Sequence, residues 1–267
     1  MKMYISVFRI RFINSLQYRA VTVGAIITRF AWGFMEVLAY SALYRTGSVA
    51  FPMNFSQTVS YIWMQQTLIV LFSVVFSDGE IYSAIGDGSI AYELVRPMDL
   101  YGRWFCQSAA NRVAFTIINC LPALLVALII PEPFRMSMPL AMGQFILFLL
   151  STMIALCVVV AFAMLMYILL FYIVSQRGIR IIVTALTTFL SGGVIPLPFF
   201  LAPVLAVVQL LPFAAMQNMP LRIYSGNIAG VDALKGIVFQ LFWLTVLFIV
   251  GRFTMSRALK KVIVQGG

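Results

Sequence analysis

Residues 181–221 read IIVTALTTFLSGGVIPLPFFLAPVLAVVQLLPFAAMQNMPL, and how this stretch divides decides the fold. It carries no charge between Arg180 and Arg222, yet it holds Gly192-Gly193 and Pro196, Pro198, Pro203, Pro212 and Pro220. Each proline lacks a backbone donor and stops or kinks a helix. Two full membrane crossings need about 40 residues plus a turn, and the prolines leave too little uninterrupted helix. The stretch therefore predicts one crossing helix from Ile181 that breaks at Gly192-Gly193. A re-entrant or outer-face hairpin over residues 197–217 follows.

Working outward, the same length criterion places spans at residues 21–44, 57–77, 108–130, 140–173 and 233–251. The fourth is read as one long helix because no proline follows Pro139 before Arg177. Runs this continuous lack the alternation of barrel strands. With 63% hydrophobic and 10% charged residues, water is not the main solvent around this chain. The basic residues test the count. With both termini in the cytoplasm, the inner set is Lys2, Arg9, Arg11, Arg19, Arg96, Arg103, Arg177, Arg180, Arg252, Arg257, Lys260 and Lys261, with Arg112 at an inner boundary. The outer set is Arg45, Arg135, Arg222 and Lys235. This is the expected inside excess, and it requires an even number of spans. The reading is an all-α membrane protein, one domain over residues 1–267 with six transmembrane helices.

Several function classes fall away. The formal charge of +10 is scattered between apolar spans, so no nucleic-acid partner is expected. There is no histidine, and Cys106, Cys120 and Cys157 have no ligand spacing, so no metal or haem site is expected. Walker-type glycine loops and nucleophile elbows are absent, and no acid–base constellation can be assembled. No catalytic residue and no bound cofactor are predicted. No secretory signal peptide is expected, because the first apolar stretch lacks a cleavage site.

Three regions carry candidate function. Residues 1–19 place Ile5, Phe8, Phe12 and Leu16 at helical spacing among basic residues, predicting an amphipathic interfacial helix. The cytoplasmic loop 78–104 holds Asp78, Glu80, Asp87, Glu93, Arg96, Asp99 and Arg103. Within it, Ser89–Val95 predicts two helical turns started by Asp87 and ended before Pro97, with Ile90 and Leu94 on one face. Such a segment suits docking into a partner's groove; an ordinary solvated loop is the plain alternative. Glu36 and Arg29 lie in the first span, where an ionisable group faces protein, a cavity or a partner charge. Gly192, Gly193, Pro196 and Pro198 mark a break expected near the outer membrane face, either an outer gate or a structural cap.

The residues also carry a resemblance. Gly88-Ser89-Ile90-Ala91-Tyr92-Glu93-Leu94-Val95-Arg96-Pro97-Met98-Asp99 is similar to the first cytoplasmic loop of a bacterial subfamily of permeases. Leu190-Ser191-Gly192-Gly193-Val194-Ile195-Pro196-Leu197, then Leu211-Pro212-Phe213 and Tyr224-Ser225-Gly226, match it further on. The chain thus resembles a membrane-spanning permease subunit of the type-2 ATP-binding-cassette exporters. The resemblance implies an inner-membrane location and an ATPase-coupling helix carrying Asp87, Ile90, Glu93, Leu94, Arg96 and Pro97. It implies outer helices shielding a pathway, for which Glu36, Gly192, Gly193, Pro196 and Pro198 are the pathway or gate candidates. It also implies separate nucleotide-binding ATPase subunits that hold ATP and Mg, and a second permease, identical or a sister chain. The cargo expected is a hydrophobic or amphipathic small molecule, peptide or lipid. A secondary transporter or channel without an ATPase, and a structural or assembly subunit, are the other classes weighed. The first would call for more ionisable groups within the spans or an internal repeat.

Overall fold

Local chemistry sets the helix boundaries. The computed structural model describes residues 2–15, 22–47, 51–74, 79–86, 89–95, 97–139, 141–173 and 176–260. In chain order the helices are α1 (Lys2–Ser15), α2 (Thr22–Arg45), α3 (Phe55–Phe72), α4 (Gly79–Gly86), α5 (Ile90–Leu94) and α6 (Leu100–Ile129). Then come α7 (Met142–Leu169), α8 (Gln176–Leu190), α9 (Ala202–Val208), α10 (Met219–Tyr224) and α11 (Gly230–Leu259). No strand occurs among the described residues. Asn54 starts α3 with a reciprocal cap. Its Oδ1 accepts from the Gln57 amide at 2.7 Å, and Gln57 Oε1 accepts from the Asn54 amide at 3.0 Å. Asp99 starts α6 by accepting from the Gly102 amide at 2.8 Å. That start lies eight residues before the expected edge at 108, because the cap and a buried first turn of Leu100, Tyr101, Arg103 and Trp104 extend the helix.

Among the described residues, α6, α7 and α11 are long and apolar enough to cross a membrane by length and composition. The α3 helix is different. It carries Thr58, Ser60, Gln65, Gln66 and Thr67, all buried, and it sits inside the bundle against α2, α6, α7 and α10. Gly33 lets α2 approach it, since a Cβ there would lie 2.9 Å from Gln66 Cγ. The helices α7 and α11 run side by side in the same direction, joined where Ser151 Oγ donates to Gln240 Oε1 at 2.8 Å. Gly251 of α11 meets the ring of Tyr101 so closely that a Cβ would lie 2.6 Å from its hydroxyl. The α1 helix lies along α6, with Ser15 Oγ donating to Asn111 Oδ1 at 3.0 Å. Its apolar residues differ in burial. Phe8 and Phe12 stack and are half-buried, whereas Ile5 is exposed and Leu16 lies outside the described residues.

The α3 helix ends where a cation meets it. Arg112, fully buried in α6, donates from Nε to the Ser73 carbonyl at 3.2 Å and from Nη2 to the Val74 carbonyl at 2.9 Å. Its Nη1 donates to the Ser108 carbonyl at 3.2 Å and also meets Ser108 Oγ. The last carbonyls of a helix have no intrahelical donor, and a positive group there also suits the helix dipole. The chain accordingly leaves helix at Ser73, ahead of the predicted edge at 77.

Glutamines organise the proline-broken stretch. Helix α8 ends at Leu190, a 3-10 turn covers Leu197–Phe199, and a π-turn at Ala214–Asn218 runs into α10. Gln65 Nε2 donates to the Gly193 carbonyl at 2.9 Å, and Gln217 Nε2 donates to the Gly192 carbonyl at 3.4 Å. Gln240 Nε2 reaches the Ala215 carbonyl at 2.9 Å, Gln144 Nε2 the Ile223 carbonyl at 2.6 Å, and Gln57 Nε2 the Gly226 carbonyl at 3.0 Å. Because Gln65 lies past the middle of α3, the Gly192-Gly193 break is level with the interior of that helix. A buried donor inside the bundle lets the helix end there.

Replacing Arg112 with leucine leaves the Ser73 and Val74 carbonyls buried and unpaired, at about 1–3 kcal/mol each. The expected outcome is a marked drop in unfolding midpoint in mild detergent, read by tryptophan fluorescence. Arg112→Lys should recover only part of it, because an ammonium cannot reproduce the guanidinium fork.

Candidate functional site

Two regions hold the residues singled out by sequence. The first is the end of the bundle where the charged loop lies. Helix α5 has five residues. Ile90, its first, is buried in the apolar core, whereas Leu94, its last, is exposed. A four-residue spacing puts them on one face, but the helix is inclined and only its start dips inside. Glu93 is turned inward as well. One carboxylate oxygen accepts from Arg103 Nη2 at 2.6 Å, and the other accepts from Trp104 Nε1 at 3.4 Å. Both partners of this ion pair are largely buried, so removing one strands the other. Beside it Glu80 pairs with Arg11 of α1 and accepts from Gln107 Nε2 at 3.3 Å. Asp99 lies 3.5 Å from Arg252 of α11.

The exposed side chains described on α5 and just after it are Tyr92 at 78% exposure, Leu94, and the C-cap Val95 at 85%. Pro97 is also exposed. Asp87 and Arg96 lie outside the described residues. The structure thus separates the expected docking set into an inward anchor, Ile90 and Glu93, and an outward tip. Tyr92 and Val95 were not singled out from sequence, although their three-residue spacing was a legible signal. Arg103 and Trp104, the partners of Glu93, were not assigned that role, because they lie ten and eleven residues away across Pro97.

The second region lies around α3. Glu36 of α2 accepts from Gln66 Nε2 at 3.4 Å, and its other oxygen has no hydrogen-bond partner among the described residues. Gly192 has a φ of +85°, and a Cβ there would lie 2.9 Å from the Tyr61 hydroxyl. Glycine is required on both counts. Gly193 packs as tightly on Thr188, with 2.9 Å from a built Cβ to its carbonyl. Pro196 precedes the 3-10 turn and Pro198 lies within it, which brings Phe199 to 4.9 Å from the Tyr40 ring of α2. Glu36 and the glycine break therefore meet one helix, through Gln66 on one side and Tyr61 and Gln65 on the other.

Among the described residues, no group of three or more histidine, cysteine or acidic side chains is arranged to hold a metal. If the Glu93–Arg103 pair fixes α5, Glu93→Ala should raise amide exchange over residues 90–94 by about tenfold, one buried charged bond's worth. Arg103→Met should do the same, and the double variant should be no worse than either alone. Hydrogen exchange read by mass spectrometry checks this.

Neither a curated protein nor a solved structure matches the chain. A family model does, described as an ABC-2 family transporter protein and covering residues 30–266. With that match over most of its length, the chain belongs to the ABC-2 membrane transporter family, whose members are non-catalytic permeases.

Proposed function

We propose that this chain is the permease subunit of an ATP-driven exporter in a bacterial inner membrane. The observation that carries this reading is the apolar tip of α5, Tyr92, Leu94 and Val95, held out from the bundle by the buried Glu93–Arg103 pair. A small exposed apolar cluster on a helix anchored by a buried ion pair has the composition of a docking knob. The partner is a nucleotide-binding ATPase subunit, which holds ATP and Mg. Asp87, Arg96 and Pro97 flank the knob in sequence.

In this reading the chain crosses the membrane six times, through α2, α3, α6, α7, α8 and α11, with both termini in the cytoplasm. Arg11, Glu80, Glu93, Asp99, Arg103 and Arg252 gather at one end of the bundle, which supports that end as cytoplasmic. Helix α1 lies at the inner interface. The segment 197–217 is read as the hairpin between the last two spans, and the bond from Trp243 Nε1, midway along α11, to the Leu210 carbonyl at 3.1 Å supports its folding back along that helix. The pathway runs beside Glu36 and the Gly192-Gly193 break, with Pro196 and Pro198 shaping its outer side, and a second permease, identical or a sister chain, closes it. Its cargo is hydrophobic or amphipathic.

Val95→Asp, and separately Tyr92→Ala, should lower co-purification of the ATPase by about tenfold or more, as for loss of a central interface anchor. Membrane levels of the chain should not change. Mild-detergent pulldown with the partner quantified by mass spectrometry measures it; full recovery of the ATPase with Val95→Asp would overturn the docking assignment.

A further inference from the structure

Helix α8 stands off from its neighbours among the described residues. Its base is tethered where the Arg180 guanidinium lies 4.6 Å over the Tyr82 ring. Ile181, Ile182, Leu186 and Phe189 face outward and are exposed. Between its other face and α3 lies a cavity of about 210 Å³. Gln65, Thr184, Thr187, Ser191 and Gln217 give it polar walls, and Ile69 and Met216 give it apolar ones. It borders the Gly193 break, and irregular backbone at membrane depth is tolerated where it lines such a space. The volume holds several waters or one ring-sized group.

Its hydrogen-bonding character is one-sided. Thr184 Oγ1 donates to the Arg180 carbonyl at 2.6 Å and Thr187 Oγ1 to the Val183 carbonyl at 2.6 Å. Ser191 Oγ donates to the Thr188 carbonyl at 3.3 Å. Gln65 and Gln217 each give an amide N–H to the glycine break. These three hydroxyl protons are thus spent on backbone, while their oxygens keep accepting capacity. Gln65 is 1% exposed, lines the cavity, and its Oε1 has no partner among the described residues. A buried, unpaired amide oxygen is costly, and a donor from a bound molecule relieves it. No acidic or basic side chain lines the space. The Arg112 guanidinium sits behind the Ser73 and Val74 carbonyls that close it, which disfavours a cation. An anion brings no hydrogen for the Gln65 Oε1.

We propose that this cavity is the cargo chamber and that it takes the hydroxyl or amide N–H head of an uncharged amphipathic molecule. The assignment rests on reading the chain as a permease, but its test needs no ATPase. In membrane vesicles, with Cys106, Cys120 and Cys157 replaced by alanine, Ser191→Cys reports on the chamber and Leu186→Cys on the lipid face. A water-soluble methanethiosulfonate should label Ser191→Cys about tenfold faster than Leu186→Cys, since the one surface is wet and the other is not. Octyl glucoside, a neutral polyol amphiphile, should slow that labelling by about tenfold, the effect of one buried hydrogen bond. Its fully O-methylated counterpart, octyltrimethylammonium and octyl sulfate should not. Gln65→Leu should abolish the protection, each labelling rate being referred to the same variant without amphiphile because the substitution also removes the donor to the Gly193 carbonyl. Slow labelling of Ser191→Cys at normal membrane levels would overturn the wet chamber, and equal protection by the O-methylated or cationic probe would overturn the donor preference. Loss of the exporter reading through the ATPase pulldown would leave both results standing.

Discussion

A helix that stops inside an apolar bundle leaves carbonyls that only protein can satisfy, and the rest of this architecture follows from how they are satisfied. Each unpaired backbone group away from water costs several kcal/mol. The chain breaks its helical ladder at Ser73, at Gly192-Gly193, at the π-turn and at Ile223–Gly226. Every one of these breaks is met by a long polar side chain distant in sequence, from a neighbouring helix or, for Gln217, from the π-turn itself: Arg112, Gln65, Gln217, Gln240, Gln144 and Gln57. Glutamine suits the task because it is neutral, reaches far and brings two donors. An arginine appears where two successive carbonyls must be bridged, and its charge lies at the negative end of α3.

This supply of donors explains why the most polar helix is the central one. Gln65 and Gln66 of α3 would be expensive against lipid, yet surrounded by α2, α6, α7 and α10 they serve neighbours on two sides. Gln65 ties down the end of α8 from across a gap, so α8 needs no continuous apolar seam with α3. The space left between them is polar because the same side chains that close the backbone also line the wall.

Part of this was legible in sequence. Five prolines and Gly192-Gly193 located the break to within two residues of the end of α8 at Leu190, because their effect is local and independent of partners. The lack of proline after Pro139 marked α7 as one helix, and Met142–Leu169 is one. The depth of the break was not legible, since it depends on Gln65, 128 residues from Gly193. Arg112 read as a boundary charge because the carbonyls it bonds belong to another helix, 38 and 39 residues earlier. Ile90 and Leu94 share a face by periodicity, but the tilt that buries one and exposes the other is set by the Glu93–Arg103 pair and by the core beneath. Helix ends and turns follow from nearby residues; which carbonyl a distant amide finds does not.

The two candidate regions are mechanically continuous through α6. Glu93 holds α5 to Arg103, and Arg112 follows nine residues later, two and a half turns along the same helix. Arg112 grips the end of α3, and the Ser73 and Val74 carbonyls it bonds form one limit of the space between α3 and α8. A displacement of α5 must therefore either break a buried ion pair or move the start of α6. Movement of α6 must in turn either strip Arg112 from its carbonyls or carry the end of α3 with it. Both breakages strand buried charge or buried carbonyls at several kcal/mol, so the less costly response to a push on α5 is a shift of the wall that faces α8.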